Sequence, residues 1–275
     1  MENKKNTKKT EDYSFQVDLR GIIRLLSENL YSSSDVFLRE LLQNAVDAIE
    51  ARRAAEPDFK EAQIRITYHR EKKNSARLTF TDNGIGLTKE EIHTFLSVIG
   101  QSSKRGDGVR GNFIGQFGIG LLSCFLVSDE IVVRSRSIKE ETGYGWLGRS
   151  DGTYQVSKEE QELPVGTEVI LSLKGRTAVR YHEEEVIRLL KEYGFLLQIP
   201  VDFAGDGGER RINDAFIPWR QSFCSNEEIL RFGELIFDET FFGVVPVKGD
   251  GLTGYAFISG RERSAASAGR HKIFL

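Results

Sequence analysis

The chain has 275 residues, 39% hydrophobic and 29% charged, with a formal net charge of −3. That is globular composition, enough for one large domain or two smaller ones, and the balance of charge argues against a nucleic-acid binder. Cys124 and Cys224 stand far apart, which excludes a disulfide framework and a CxxC zinc site, and no apolar run nears the ~20 residues of a membrane helix.

Residues 1–12, MENKKNTKKTED, are polar and lysine-rich and read as a disordered leader. They lack the apolar core of a secretory signal, so the chain is expected in the cytoplasm, off the membrane. YSFQVDL alternates like a short strand, and RGIIRLLSENLYS reads as a helix. SSSDVFLRELLQNAVDAIEARRAAE reads as a longer helix, with a Ser/Asp cap before Val36 and Pro57 beyond its end. AQIRITYHR and SARLTFTD alternate like antiparallel strands around an EKKN turn. TKEEIHTFLSVIG opens with a threonine cap and early glutamates, the signature of a helix start.

QSSKRGDGVRGNFIGQFGIG has no period and reads as a mobile loop ending in tight turns. LLSCFLVS is a short buried helix, and DEIVVRSRS, GYGWLGRSDGTYQVSK and GTEVILSLK form a meander. YHEEEVIRLLKEYGFLLQ is an amphipathic helix. Within DFAGDGGERRIND the pattern breaks, and a linker is placed at residues 205–214. Beyond it, FIPWRQ, a helix near NEEILRFGELIF, and strands in FFGVVPVKG, LTGYAFISG and HKIFL read as the beginning of a second α/β domain, residues 215–275, expected to be cut short. Residues 13–204 are expected to be an α+β fold: a two-layer sandwich of a mixed, mainly antiparallel sheet with helices on one face.

Three features carry chemistry. On a helical wheel Glu40, Asn44 and Asp47 fall within about 60° of one another. They are short and have no cation among them, and Ala48 and Ala51 flank them. The stripe is either a solvated face or a site able to ligate a hard cation and orient water. TDNGIGL follows a strand and precedes a helix. It is either plain turn chemistry or a purine reader, in which Asp82 accepts an exocyclic amino group while Gly84 and Gly86 let the backbone approach the ring. GNFIGQFGIG places Gly115, Gly118 and Gly120 as G-x-x-G-x-G before a helix, where backbone N–H groups can face phosphate or where the chain can hinge. It is neither a Walker A loop nor a Rossmann fingerprint. VGT, Val165 to Thr167, heads a later strand.

The order of these motifs resembles the ATPase superfamily that joins gyrase, the ninety-kilodalton heat-shock chaperones, histidine kinases and the MutL mismatch-repair proteins. FQVDLRGIIRLLSENLYSSSDVFLRELLQNAVDAI and IGQFGIGLLSCFLVSDEIVV resemble the heat shock protein 90 family, its bacterial high-temperature protein G branch included. The likeness runs from about Phe15 through the first domain, and more weakly through INDAFIPWRQ into the middle domain.

That resemblance implies an ATP/ADP pocket with Mg2+. Glu40 takes the place of the general base or water-orienting carboxylate, Asn44 of the magnesium-binding amide, Asp82 of the adenine-reading carboxylate, and Thr167 of the threonine supporting it. Asp47, Ala48 and Leu87 fall at pocket-lining positions, with Gly84 and Gly86 in the adenine turn. Gly115, Gln116, Phe117, Gly118 and Gly120 match the lid hinge, and Arg39 a pocket arginine near the phosphates. The sequence departs from the family at Gln101, where a lid lysine is common, and at Phe95, where an asparagine is common. The family's partners are client proteins and co-chaperones. The full-length protein is expected as a homodimer and this length of chain as a monomer, with the middle-domain catalytic arginine beyond Leu275 and turnover therefore weak.

Two relatives share the pocket and stand as alternatives. A kinase would need a dimerising phosphoacceptor-histidine helix, and His69 and His93 lie inside the nucleotide domain. A mismatch-repair type ATPase would carry a basic channel for nucleic acid, against the net charge of −3. A nucleotide sensor without hydrolysis would have no need of Glu40.

Overall fold

The computed structural model describes residues 21, 35–96, 120–213, 217–220, 223–237, 239–249 and 252–259. Apart from Gly21, the strand and helix expected across residues 13–32, most of the glycine-rich loop and the last strand, HKIFL, lie outside these.

Helix α1, Val36–Ala55, buries Val36, Phe37, Leu38, Leu41, Leu42, Ala45 and Ile49. These recur at three- and four-residue intervals, so they form one stripe facing the core. Asp35 precedes the helix as expected, yet its side chain makes no capping bond. Its Oδ1 instead accepts from Arg180 Nη2 at 3.0 Å and from the Tyr181 hydroxyl at 2.9 Å. A tertiary clamp has displaced the local cap, and the Tyr181 ring packs edge-on against Phe37 at 5.2 Å.

Strands β1 (Ile64–Lys72) and β2 (Ser75–Asp82) form an antiparallel hairpin. Helix α2, Lys89–Glu91, starts with a capping box between Thr88 and Glu91 and continues as a π-helical turn, Ile92–Leu96. A 3-10 helix, Leu121–Leu126, leads into β3 (Glu130–Arg136), β4 (Tyr144–Arg149), β5 (Tyr154–Lys158) and β6 (Gly166–Lys174). Helices α3 (Arg176–Arg180) and α4 (Glu183–Gly194) precede β7 (Val201–Gly205) and β8 (Gly208–Arg211).

These eight strands make one sheet in the order β5-β4-β3-β6-β2-β1-β7-β8. Every pairing is antiparallel except β1 with β7. Alternate residues are buried: Ile64, Ile66 and Tyr68 on β1, Ala76, Leu78 and Phe80 on β2, Ile131 and Val133 on β3, Leu171 and Leu173 on β6. With the α1 and α4 stripes they form one core, so the helices cover one face of the sheet. The mainly antiparallel two-layer sandwich expected from the sequence is thus present.

The stretch read as a linker is different. Residues 205–211 complete the β7–β8 hairpin at the sheet edge. Its turn is held by Glu183, whose carboxylate accepts the Asp206 and Gly207 N–H groups at 3.0 Å each. Ile212 is buried, and Asn213 accepts from Val201 N at 2.8 Å while donating to the Leu197 and Ile199 carbonyls at 2.9 and 2.7 Å. Glycine at the turn and charge on an edge strand have the same composition as a linker, and the pattern of GERR carries no buried alternation to separate them.

Beyond it lie a 3-10 turn, Pro218–Arg220, helix α5 (Asn226–Phe237) and the separate hairpin β9 (Phe241–Gly249) with β10 (Leu252–Ser259). Aromatic rings knit this part together. Trp219 meets Phe232 at 5.0 Å and Tyr255 at 5.6 Å, and Phe195, just after α4, meets Phe232 at 5.6 Å.

Two substitutions test this architecture by chemical denaturation. Leu78→Ala, in the fully buried centre of the sheet, is expected to cost about 2–5 kcal/mol. Asn213→Ala leaves a backbone N–H and two carbonyls without their partner and is expected to cost roughly 1–3 kcal/mol in the same transition. A loss near zero would show that residues 205–213 unfold separately from the sheet.

Candidate active site

Helix α1 carries the polar stripe along the rim of its buried face. Glu40 is partly exposed, Asn44 exposed and Asp47 partly buried. The Asp-Asn-Gly turn after β2 docks on this helix at Ala48. Ile85 N–H donates to the Ala48 carbonyl at 2.9 Å, and a Cβ on Gly84 would lie 2.6 Å from the Ala48 Cβ. Only glycine permits that approach. Gly86 has φ +67°, and a Cβ there would lie 2.0 Å from the Arg136 carbonyl oxygen.

Asp82 ends β2 opposite Thr167 in the β2–β6 ladder. Its Oδ1 accepts the Gly84 N–H at 2.8 Å. Burial pushes its carboxyl up to about 7, while the backbone N–H groups of Gly84 and Thr167 pull the other way. Since this pKa is raised on folding, Asp82 contributes stability that is fully present below the ordinary carboxylate range and lost as pH rises towards about 7. An exposed carboxylate would show no such dependence. Asp82 is therefore held where a ligand's N–H donors would relieve its desolvation.

Thr167 is fixed by Ser135, a residue the motif reading missed. Ser135 Oγ donates to the Gly166 carbonyl at 2.8 Å, lies 2.9 Å from Thr167 Oγ1 and accepts the Leu87 N–H at 2.9 Å. The legible signal was a serine in register with the core positions Ile131 and Val133 of an alternating strand.

At the other end of the stripe, Glu40 Oε1 accepts from Arg39 Nη2 at 3.0 Å. Its Oε2 faces Gly120, where a Cβ would come within 2.8 Å. The Ser123 hydroxyl donates to the Gly120 carbonyl at 2.6 Å and pins that glycine to the 3-10 helix. Cys124 is buried nearby, and burial foremost, then the charge of Glu40, pushes its thiol well above the usual range. Arg39 is 57% exposed and its described partner is Glu40, so it reaches outward along the rim. Gln43 donates to Asp47 Oδ1 at 3.0 Å, which fixes the least distinctive of the stripe's acids.

The structure therefore brings Ala48, Asp82, Gly84, Gly86, Leu87 and Thr167 into one neighbourhood, and Arg39, Glu40 and Gly120 into another on the same helix, with Asn44 and Asp47 on the stretch of α1 between Glu40 and Ala48. Gly115, Gln116, Phe117 and Gly118 lie outside the described residues. Among the described residues there is no group of three His, Cys, Asp or Glu side chains able to hold a metal unaided. A lone exposed amide such as Asn44 fits magnesium, which keeps waters and takes most of its remaining ligands from phosphates.

Residues 31–167 match the family described as histidine kinase-, DNA gyrase B-, and HSP90-like ATPase. The chain is 32% identical over 229 residues to the chaperone protein HtpG of Rickettsia bellii, a match covering 78% of this chain and 37% of that one. It is 33% identical over 245 residues to HtpG of Desulfitobacterium hafniense, covering 82% and 39%. With HtpG of Rhodopseudomonas palustris (strain HaA2) the identity is 31% over 234 residues, covering 78% and 36%. The chain thus spans little more than a third of the length of these relatives. No described helix is long and apolar enough to cross a membrane. By its sandwich fold, its Asp-x-Gly turn docked on the asparagine helix and these likenesses, the chain belongs to the heat shock protein 90 family, as an N-terminal ATPase domain.

Proposed function

We propose that this chain binds Mg-ATP and ADP along α1 and hydrolyses ATP as the nucleotide-driven part of a chaperone. One observation carries this reading. The purine-reading turn docks at Ala48 and the end of the glycine loop docks at Glu40, both on one helix. Eight residues at 1.5 Å each separate these points by roughly 12 Å along the helix axis. That separation suits a nucleotide lying along the helix, with its base at Asp82 and its terminal phosphate towards Glu40.

The roles then divide by chemistry. Asp82 accepts the adenine amino group, with Thr167, oriented by Ser135, beside it. Gly84 and Gly86 keep the turn thin enough for the ring to approach, and Ala48 and Leu87 line the base end. Asn44 and phosphate oxygens would hold Mg2+, which neutralises charge on the phosphates. Glu40 orients and deprotonates the attacking water for in-line displacement. Arg39 holds Glu40 in place. Gly115 to Gly120 act as the lid hinge.

In its biological setting the domain serves a cytoplasmic chaperone with client proteins and co-chaperones, dimeric at full length and without a nucleic-acid partner. Residues 13–213 form the nucleotide domain and the segment from about residue 215 begins the middle domain.

Calorimetry with Mg-ADP tests the pocket. The wild-type chain is expected to bind. Asp82→Asn replaces a charged acceptor by an amide that is partly a donor, and the expected loss of about 3 kcal/mol is roughly a hundredfold in affinity. Affinity unchanged in Asp82→Asn would overturn the base assignment.

Glu40→Ala is expected to bind ADP within a few-fold of wild type while residual ATP turnover falls about 10²–10⁴-fold, the usual contribution of a general base. Phosphate release measured beside calorimetry separates the two effects. Equal turnover in the two proteins would remove Glu40 from the chemistry.

A further inference from the structure

Ser135, Thr167 and Asp82 form one row across the sheet. Ser135 stands opposite Thr167 in the β3–β6 ladder, and Thr167 stands opposite Asp82 in the β2–β6 ladder. Directly opposite residues project from the same face, so neighbours in the row can interact. Ser135 is 1% exposed, whereas Thr167 is half-buried. The serine is closed to a ligand, and the threonine keeps an open side.

Three groups surround the Ser135 hydroxyl: the Gly166 carbonyl at 2.8 Å, the Leu87 N–H at 2.9 Å and Thr167 Oγ1 at 2.9 Å. A hydroxyl has one proton and two lone pairs. A carbonyl cannot donate, so the serine proton goes to Gly166. A backbone N–H can only donate, so Leu87 takes one lone pair. Thr167 Oγ1 then faces the other lone pair and must supply the proton of that bond. With its own proton committed to Ser135, Thr167 has only lone pairs to offer a ligand. The bond from Leu87 is also a third tie on the turn after β2. The other two run from the Ile85 N–H to the Ala48 carbonyl at 2.9 Å and from the Ile138 N–H to the Ile85 carbonyl at 3.0 Å.

We propose that Ser135 is a positioning residue for nucleotide binding: by accepting the Thr167 proton it fixes Thr167 as an acceptor towards the base end of the site. This rests on the nucleotide reading above and deepens it. Ser135 touches no ligand and acts through Thr167. Whatever meets the threonine hydroxyl, a base N–H or a bound water, must bring its own proton. Without the serine oxygen, the Thr167 proton is free to turn to another acceptor, and its lone pairs lose their set direction. A ligand group that donates there then has to reorient the hydroxyl before it can bind, and affinity falls.

A double-mutant cycle read by calorimetry with Mg-ADP on the whole chain tests this. Ser135→Ala is expected to weaken binding about tenfold, the scale of one hydrogen bond. Ser135→Thr keeps the hydroxyl and is expected to bind within about threefold of the wild type on the same scale. In a Thr167→Val background, where no proton needs an acceptor, adding Ser135→Ala is expected to change affinity by less than about twofold. A purely structural serine would cost the same factor in both backgrounds, since Gly166 and Leu87 lose their partner in each. Ser135→Cys, close in volume but a weak acceptor, runs the same cycle if the alanine variant does not fold. Equal losses in the two backgrounds, or affinity unchanged in Ser135→Ala, overturn the proposal while leaving nucleotide binding intact. Failure of the wild-type chain to bind Mg-ADP overturns the nucleotide reading itself, and this proposal with it.

Discussion

The site depends on one close approach, that of the Gly84 backbone to Ala48 on α1. Any side chain on Gly84, or one larger than the methyl of Ala48, would separate the helix from the strand end. With it in place, the Ile85 N–H reaches a carbonyl in the middle of the helix, and a sheet terminus becomes rigidly referenced to a helix face. Every assigned polar group then inherits its position. Asp82 is held by the turn, Thr167 by the ladder opposite Asp82, Leu87 by Ser135, and Glu40 by the same helix further up. The constraint explains why small residues accompany the acids of α1. They are contact surfaces between layers as well as room for a ligand.

The buried carboxyl of Asp82 is the other half of the arrangement. Desolvating an acid without a cation costs stability, and a fold tolerates such groups chiefly where they serve a ligand. The sandwich spreads its other charges into pairs, among them Arg134 between Glu159 and Glu168, and Arg188 between Glu185 and Glu192. Among the described residues, the donors to Asp82 are backbone N–H groups. The contrast supports the proposed place of Asp82 at the base end of the nucleotide.

Much of this could be read from the sequence, and the exceptions have causes. The α1 stripe was visible because Leu41, Leu42, Ala45 and Ile49 repeat at helical spacing while Glu40, Asn44 and Asp47 interrupt them. The strands β1, β2, β3 and β6 were visible because one face is buried and the other wet. Ser135 was hidden, since a hydroxyl in an alternating strand differs from a surface serine only by register, and its partners come from β6 and the turn after β2. The β7–β8 hairpin was hidden because an edge strand buries little and Gly-Asp-Gly-Gly serves turns and linkers alike. The Asp35 clamp was hidden because Arg180 and Tyr181 are remote in the chain. Local signals were thus legible where the pattern came from burial. They failed where long-range hydrogen bonds overrode the local chemistry.

The parallel pairing of β1 with β7 has a consequence for synthesis. Ile64 pairs with Val201, and Asn213 closes over the end of that strand. As the chain leaves the ribosome, β1 and β2 can form their hairpin at once, but the sheet keeps an open edge beside β1 until residues 201–211 emerge. For that interval an apolar strand with unpaired backbone groups faces the cell, and the late, non-local closure slows folding. A protein of a chaperone family is, during its own birth, the sort of chain that such families exist to shelter.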